Sequence, residues 1–255
     1  MMIDYKLLAN IAMLAGEIML CSGAETYRVE DTMYHILKTS NIESTQVIAM
    51  MTGLVVTLSD SRLDQPVTMM RRVSERSTNV SNIMKVNDIS RRYCEGKISL
   101  EEAYDELKCA KGKQYNRLLY NLATIGITVG FSMMFGGKLS DILAAAIVGA
   151  ILATVMTVGK IAKLSNVFVH VLSGLGIAMI TVALQSFLFP NLAIDIVIVS
   201  AIMPIVPGVA ITNAIRDTIQ GDYLSGCARI LEALLVAMAI AVGSGLGMLI
   251  VGGVI

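Results

Sequence analysis

The residues best placed to do chemistry begin at Met203-Pro204-Ile205-Val206-Pro207-Gly208, where two prolines and a glycine interrupt otherwise apolar sequence. Proline lacks a backbone donor and clashes with the preceding turn, so a helix kinks or breaks here. At membrane depth the freed carbonyls must face protein or a water-filled cavity, and transporters build ion and substrate sites this way. A kink that serves packing alone is the plainer alternative. Thr212, Asn213, Arg216 and Asp217 follow directly, and Asn213 and Asp217, four apart, share a helical face. They suit a path for a zwitterion, Arg216 attracting a carboxylate and Asp217 an ammonium. Arg216 and Asp217 serve equally well as interfacial residues that orient the helix. His170 and Glu232 lie in or beside other apolar runs, and the cost of intramembrane charge makes them candidates for proton coupling. Each has a plainer role: His170 as an interfacial ring bonded locally, and Glu232, three residues after Arg229, as half of a surface pair.

A second dense segment runs from Ser22 to Asp31. Ser22 and Gly23 stop one helix, and the next begins near Glu25. Glu25 and Asp31 fit the positive end of a helix. That does not account for the density of Tyr27, Arg28 and Glu30 in the same turns.

The elements that position these residues follow from hydropathy. The chain is 55% hydrophobic and 16% charged, with mean hydropathy +0.69, a balance that points to a membrane class. The charges are uneven: residues 1–117 carry 15 positive and 15 negative side chains, and residues 118–255 carry 5 of each. Neither part is basic, and no aromatic and basic interleaving is present, which argues against nucleic acid as a partner. The first twenty residues, with Asp4, Lys6, Asn10 and Glu17, lack the layout of a secretory signal. Cys21, Cys94, Cys109 and Cys227 form no C-x-x-C pair and have no His at ligand spacing, so neither a metal site nor a cofactor is expected.

Residues 1–115 read as a soluble α+β domain. Leu7, Leu8, Ile11, Leu14, Ala15 and Ile18 recur at helical spacing, too polar in context to span a membrane. A second helix is expected over Glu25 to Thr39, then two or three strands over Thr45–Ser59 and Gln65–Arg72. A helix over Asn79–Tyr93 follows. Another starts at Ser99, with Glu102 placed for a reciprocal cap. Residues 116–255 read as about five transmembrane helices, near 118–137, 141–159, 166–189, 192–212 and 227–252. Each is long enough for a hydrocarbon core of roughly 30 Å. The fold class is thus a polytopic α-helical membrane protein with an N-terminal soluble domain. Basic residues flank alternate loops, which places the N-terminus in the cytoplasm and the C-terminus outside an inner membrane. Small residues such as Gly126, Gly130, Gly174, Gly243 and Gly247 supply positions for close helix contact.

An enzyme is not expected. Asp195 and Asp217 fall toward opposite ends of one span, too far apart to share a proton as an acid/base dyad does, and the soluble part has no G-x-S-x-G, phosphate-binding loop or metal cluster. The segments SGAETYRVEDTM, Ser22 to Met33, and PGVAITNAIRDTIQGDYLSG, Pro207 to Gly226, together resemble the bacterial threonine/serine exporter family. The resemblance implies a cytoplasmic α+β domain joined to a membrane domain that exports threonine and serine, driven by protons. Some members fuse two membrane halves. Others are split into a larger and a smaller protein, and one split pair is similar to a succinate exporter. With one five-helix half, this chain resembles the larger member of a split system, which implies a second membrane subunit or a homo-oligomer. The alternatives are a dicarboxylate (succinate) exporter subunit with a smaller membrane partner, or a regulatory or assembly subunit without transport of its own. If the soluble domain sits over the mouth of a pathway, Tyr27, Arg28 and Glu30 are the residues expected to touch the membrane half.

Overall fold

A computed structural model describes residues 5–74, 76–110 and 116–252. By its internal contacts the chain divides into two compact units. The first joins residues 1–112 to 209–231, and the second joins 113–208 to 232–255.

The first unit is built around α1 (Tyr5–Cys21), whose burial runs almost without interruption from Leu8 to Leu20. This is more than the single apolar stripe its spacing predicts. The reason is its setting, because α2 (Thr26–Lys38), α3 (Val80–Cys94), α4 (Leu100–Ala110) and the sheet all pack on it. Glu17 escapes the apolar surroundings by pairing with Arg71 at 2.7 Å. The three strands β1 (Ser44–Met50), β2 (Gly53–Ser59) and β3 (Val67–Arg72) form an antiparallel sheet in the order β1-β2-β3. Met51 and Thr52 make the first turn and Gly53 opens β2, where the sequence divides its two apolar runs. The register sets Ile48 opposite Val55 and Val55 opposite Met70 on one face. Leu54, Val56 and Leu58 of β2 turn the other way, into the core. At the start of α4 the reciprocal cap forms: Ser99 N–H donates to Glu102 Oε2 at 2.7 Å, and Glu102 N–H to Ser99 Oγ at 3.1 Å.

The second unit holds α5 (Arg117–Met134), α6 (Leu139–Ile161), α7 (Asn166–Phe187) and α8 (Ile194–Ile202). α8 ends in a 3-10 turn, Met203–Ile205. Beyond the break at Val206 and Pro207, α9 (Gly208–Ile219) begins, followed by α10 (Tyr223–Gly252). Only the later part of α10, from Glu232, belongs to the second unit. Three helices, α6, α7 and α10, are each long and apolar enough to cross a membrane, and a bent pair made of Ile194–Ile205 and Gly208–Ile219 passes the same test when taken together. Among the described residues, three of the five expected runs meet this test by length and composition, or four with the bent pair. α5, 18 residues that begin with Arg117 and include Asn121, is not among them. The break expected within 192–212 is present as that bent pair, because Pro204 and Pro207 each remove a donor within four residues.

Within the second unit, Ala144, Val148 and Leu152 of α6 pack with Ile177 and Ala178 of α7 and with Val197 and Ala201 of α8. α7 crosses the later part of α10 at very short range. A Cβ on Gly174 would lie 2.5 Å from the Ile240 carbonyl oxygen, and one on Gly243 would strike the Val171 carbonyl. These glycines permit backbone contact where lipid provides no hydrophobic drive for helix association.

Candidate functional site

Helix α1 ends at Gly23, whose φ of +83° is the left-handed conformation that glycine adopts without a Cβ clash. Ala24 N–H then donates to Met19 O at 3.0 Å, closing the helix end. Two residues on, α2 starts at Thr26. Glu25 occupies its N-cap position in extended geometry, yet the Glu25 side chain makes no capping bond. The bare helix start is capped from elsewhere. Thr26 N–H donates to Asp217 Oδ1 at 2.9 Å, and Thr26 Oγ1 donates to Asp217 Oδ2 at 3.1 Å, across a separation of 191 residues. A carboxylate at this point satisfies an orphan N–H and opposes the positive end of the helix dipole.

The Asp217 side chain is fully buried, and it is charge-compensated. Arg229 Nε, on the first turns of α10, lies 2.8 Å from Asp217 Oδ2 as an ion pair outside hydrogen-bonding alignment. Arg229 is itself only 6% exposed, and its Nη2 donates to the Ala24 carbonyl at 2.6 Å. One turn before Asp217 on α9, Asn213 Nδ2 donates to the Gly23 carbonyl at 2.7 Å. Nearer the surface, Arg216 Nη1 meets Glu25 Oε1 at 2.5 Å, and Arg28 Nη1 approaches Glu25 Oε2 at 3.5 Å. The loop from Gly23 to Thr26 is thus held by four side chains of the later segment, all within the first unit.

Burial pushes the Glu25 carboxyl up, but its own backbone N–H and the guanidiniums of Arg216 and Arg28 outweigh that and hold it below the usual carboxylate range. Glu30 goes the other way. Burial raises its carboxyl and the charge of Asp222 adds to this, although Ala49 N–H donates to Glu30 Oε1 at 2.8 Å. Asp222 is raised as well, by burial and then by the charge of Asp217.

The structure therefore brings both dense segments of the sequence to one place. The residues that meet α9 and α10 are Gly23, Ala24, Glu25 and Thr26, one turn before the expected Tyr27, Arg28 and Glu30. Tyr27 is half-exposed, and Glu30 ties α2 to β1 instead. Ser22 takes part through its backbone, its carbonyl accepting from Asn79 N–H at 2.9 Å. Asp31 pairs with His35 at 3.3 Å on an exposed face. Pro204, Pro207 and Gly208 form the break before α9, and the Thr212 hydroxyl donates to the Val209 carbonyl at 3.0 Å. His170 Nδ1 lies 2.6 Å from the Asn166 carbonyl one turn back on α7, within the second unit. Glu232 is exposed on α10. Among the described residues, no group of three or more His, Cys, Asp or Glu side chains gathers in a way that would hold a metal ion.

Thr26 and Arg229 are the participants that sequence reasoning passes over. Thr26 reads as an ordinary helix-start residue, and Arg229 reads as the partner of Glu232. The available signal was the poor capping match at Glu25, since Glu is not among the preferred N-cap residues and a bare helix start requires a carboxylate from somewhere. Chemically, the cluster is a clamp. Both Asp217 oxygens are engaged, so the carboxylate is bound to protein on every side that the contacts describe.

Comparison with known proteins adds to this geometry. A family model described as "Putative threonine/serine exporter" matches residues 10–251. A curated relative, "Probable threonine/serine exporter" of Mycobacterium tuberculosis, is 27% identical over 237 residues, which is 89% of this chain and 43% of that relative. The chain thus spans less than half the length of the relative it matches. No solved structure matches the chain.

Proposed function

The chain belongs to the threonine/serine exporter family, and from that premise we propose that it forms part of a proton-coupled secondary exporter of threonine and serine. The proposal sets the first unit on the cytoplasmic side and the C-terminus outside an inner membrane, in keeping with the basic flanks of the apolar runs. It pairs this membrane half with a second membrane subunit or a second copy of the chain, as in the split systems that the sequence resembles.

The observation that carries the reading is the buried Asp217–Arg229 pair at the start of α2. It draws the two family-like segments into a single contact. In the proposed mechanism α10 carries movement from its apolar length to the soluble part, because Arg229 stands on its first turns and is fixed to the Ala24 carbonyl. The break at Pro204 to Gly208 gives α9 freedom to tilt with its cargo of Asn213, Arg216 and Asp217.

Efflux of labelled threonine, serine and succinate from proteoliposomes, with the candidate second subunit present, tests the assignment. Threonine and serine efflux that accelerates under an imposed pH gradient is expected. Absence of efflux for all three from folded protein overturns the exporter reading, and efflux of succinate alone moves the substrate class to dicarboxylates. Asp217→Asn is expected to lower efflux by at least about tenfold, equivalent to roughly 1.4 kcal/mol in the barrier of one step of the cycle. Unchanged uptake and efflux in that variant remove Asp217 from the mechanism.

A further inference from the structure

Helices α2 and α3 leave a groove of about 410 Å³ between them, within the size range of small-ligand sites. Its walls are two helical faces of unusual polarity. α2 contributes Tyr27, Arg28 and Asp31, spaced to share one face, and α3 contributes Asn87, Arg91 and Glu95 at intervals of four. The charges are not evenly answered. Glu95 has Lys97 at 2.6 Å, whereas Asp31 has only the His35 imidazole at 3.3 Å, an ion pair when that ring is protonated. Arg91, among the described residues, makes no ion pair and no side-chain hydrogen bond. Arg28 shares Glu25, its one carboxylate partner among the described residues, with the much closer Arg216. The groove therefore holds one guanidinium without an acid and a second with a weak claim on one.

We propose that this groove binds the carboxylate of a small organic solute, with Arg91 as its main contact and Arg28 as the second. A planar guanidinium matches a carboxylate with two parallel hydrogen bonds. Asn87 stands one turn from Arg91 on the same face, placed to donate its amide to the same group. The solute's carboxylate draws Arg28 from Glu25, leaving Glu25 wholly to Arg216 on α9. Occupancy of the groove is in this way read at the clamp that closes the start of α2. The inference rests on the exporter reading for its choice of ligands, since threonine, serine and succinate all carry the required group, but the site stands or falls on its own measurement.

Cys94 supplies that measurement, because its thiol lines the groove with Sγ 3.6 Å from the His35 carbonyl. In the full-length chain with Cys21, Cys109 and Cys227 replaced by Ser, the rate of maleimide labelling at Cys94 is followed with threonine, serine, succinate or inorganic phosphate added. A carboxylate solute is expected to slow labelling by threefold or more. Arg91→Gln is expected to abolish that protection, measured against the variant's own unliganded labelling rate, and Asn87→Ala to weaken it. Protection by threonine and serine identifies an amino acid as the ligand, and protection by succinate identifies a dicarboxylate. Equal protection by phosphate, no protection by any carboxylate, or protection that survives Arg91→Gln overturns the proposal. Protection that persists in a preparation that exports nothing upholds the site while the exporter reading fails.

Discussion

Asp217 in the first unit and Asp141 in the second are both buried carboxylates that fasten helix starts, and their surroundings differ. Asp217 takes two hydrogen bonds from Thr26 and has Arg229 beside it. Asp141, at 1% exposure, accepts from Lys138 N–H at 2.8 Å, where α6 begins, and from Ala193 N–H at 3.0 Å, just ahead of α8. No ion pair reaches it among the described residues. Backbone N–H groups at two helix starts stabilise Asp141 without a cation. Asp217 has a full counter-charge, which desolvation makes costly to install and costlier still to leave unpaired. The comparison teaches that the same carboxylate chemistry makes a fixed joint when it meets backbone N–H groups and the neighbouring Ser140 hydroxyl, and a separable joint when half of it is another helix's charged side chain.

The sharpest way to break this distinction is Asp217→Asn. It strands Arg229 in a buried site, so unfolding in detergent by denaturant is expected to show a loss of about 3 to 5 kcal/mol. Adding Arg229→Leu is expected to recover much of that loss. A loss no larger than that of Asp141→Asn would erase the difference between the joints. Gly174→Ala comes next, because its Cβ would lie 2.5 Å from the Ile240 carbonyl and backbone must shift to admit it. About 1 to 3 kcal/mol is expected, against no measurable change for Gly245→Ala, whose Cβ meets nothing within 4 Å. Asp141→Asn keeps one acceptor and strands no cation, so thermal unfolding is expected to report about 1 to 2 kcal/mol. Smallest is Glu25→Gln, under about 1 kcal/mol, since its partner Arg216 is 61% exposed and screened.

The same variant has a defined pH signature. The Glu25 carboxyl is held low in the folded chain, so its contribution is present above the ordinary carboxylate range and fades as pH falls through its folded value. Glu30 is held high, so its burial favours folding at low pH and opposes it once pH rises through its folded value. Stability measured from pH 3 to 8 is therefore expected to lose part of its acid-side decline in Glu25→Gln. Glu30→Gln is expected to gain stability at neutral pH, and a loss there would reverse the assigned sign.

Much of the fold was legible in local chemistry. Gly23 stopped α1 and Ser99 with Glu102 capped α4, because both signals depend only on neighbouring residues. The break after α8 followed from Pro204 and Pro207 for the same reason. The burial of α1 on nearly every side was not legible, since it depends on four elements that close around it from distant sequence. The contact partners were legible in half. Asn213, Arg216 and Asp217 stood out as polar groups after a helix break, but their targets are backbone groups at Gly23 and Thr26 and one exposed-looking carboxylate, Glu25. Backbone acceptors and donors carry no residue signature, so no spacing rule points at them. Arg229 was misdirected by proximity. Glu232 stands three residues away, whereas its buried partner Asp217 lies across a turn between two helices.

The missing cap of α2 has a consequence for the order of events during synthesis. The helix start at Thr26 is finished by a carboxylate that leaves the ribosome 191 residues later. At roughly 5 to 20 residues per second, that is a delay of about 10 to 40 s. Through that interval the first turn of α2 carries an unanswered dipole and open N–H groups. A nascent chain that ends before Asp217 and Arg229 lacks both the carboxylate that finishes the helix start at Thr26 and that carboxylate's counter-charge.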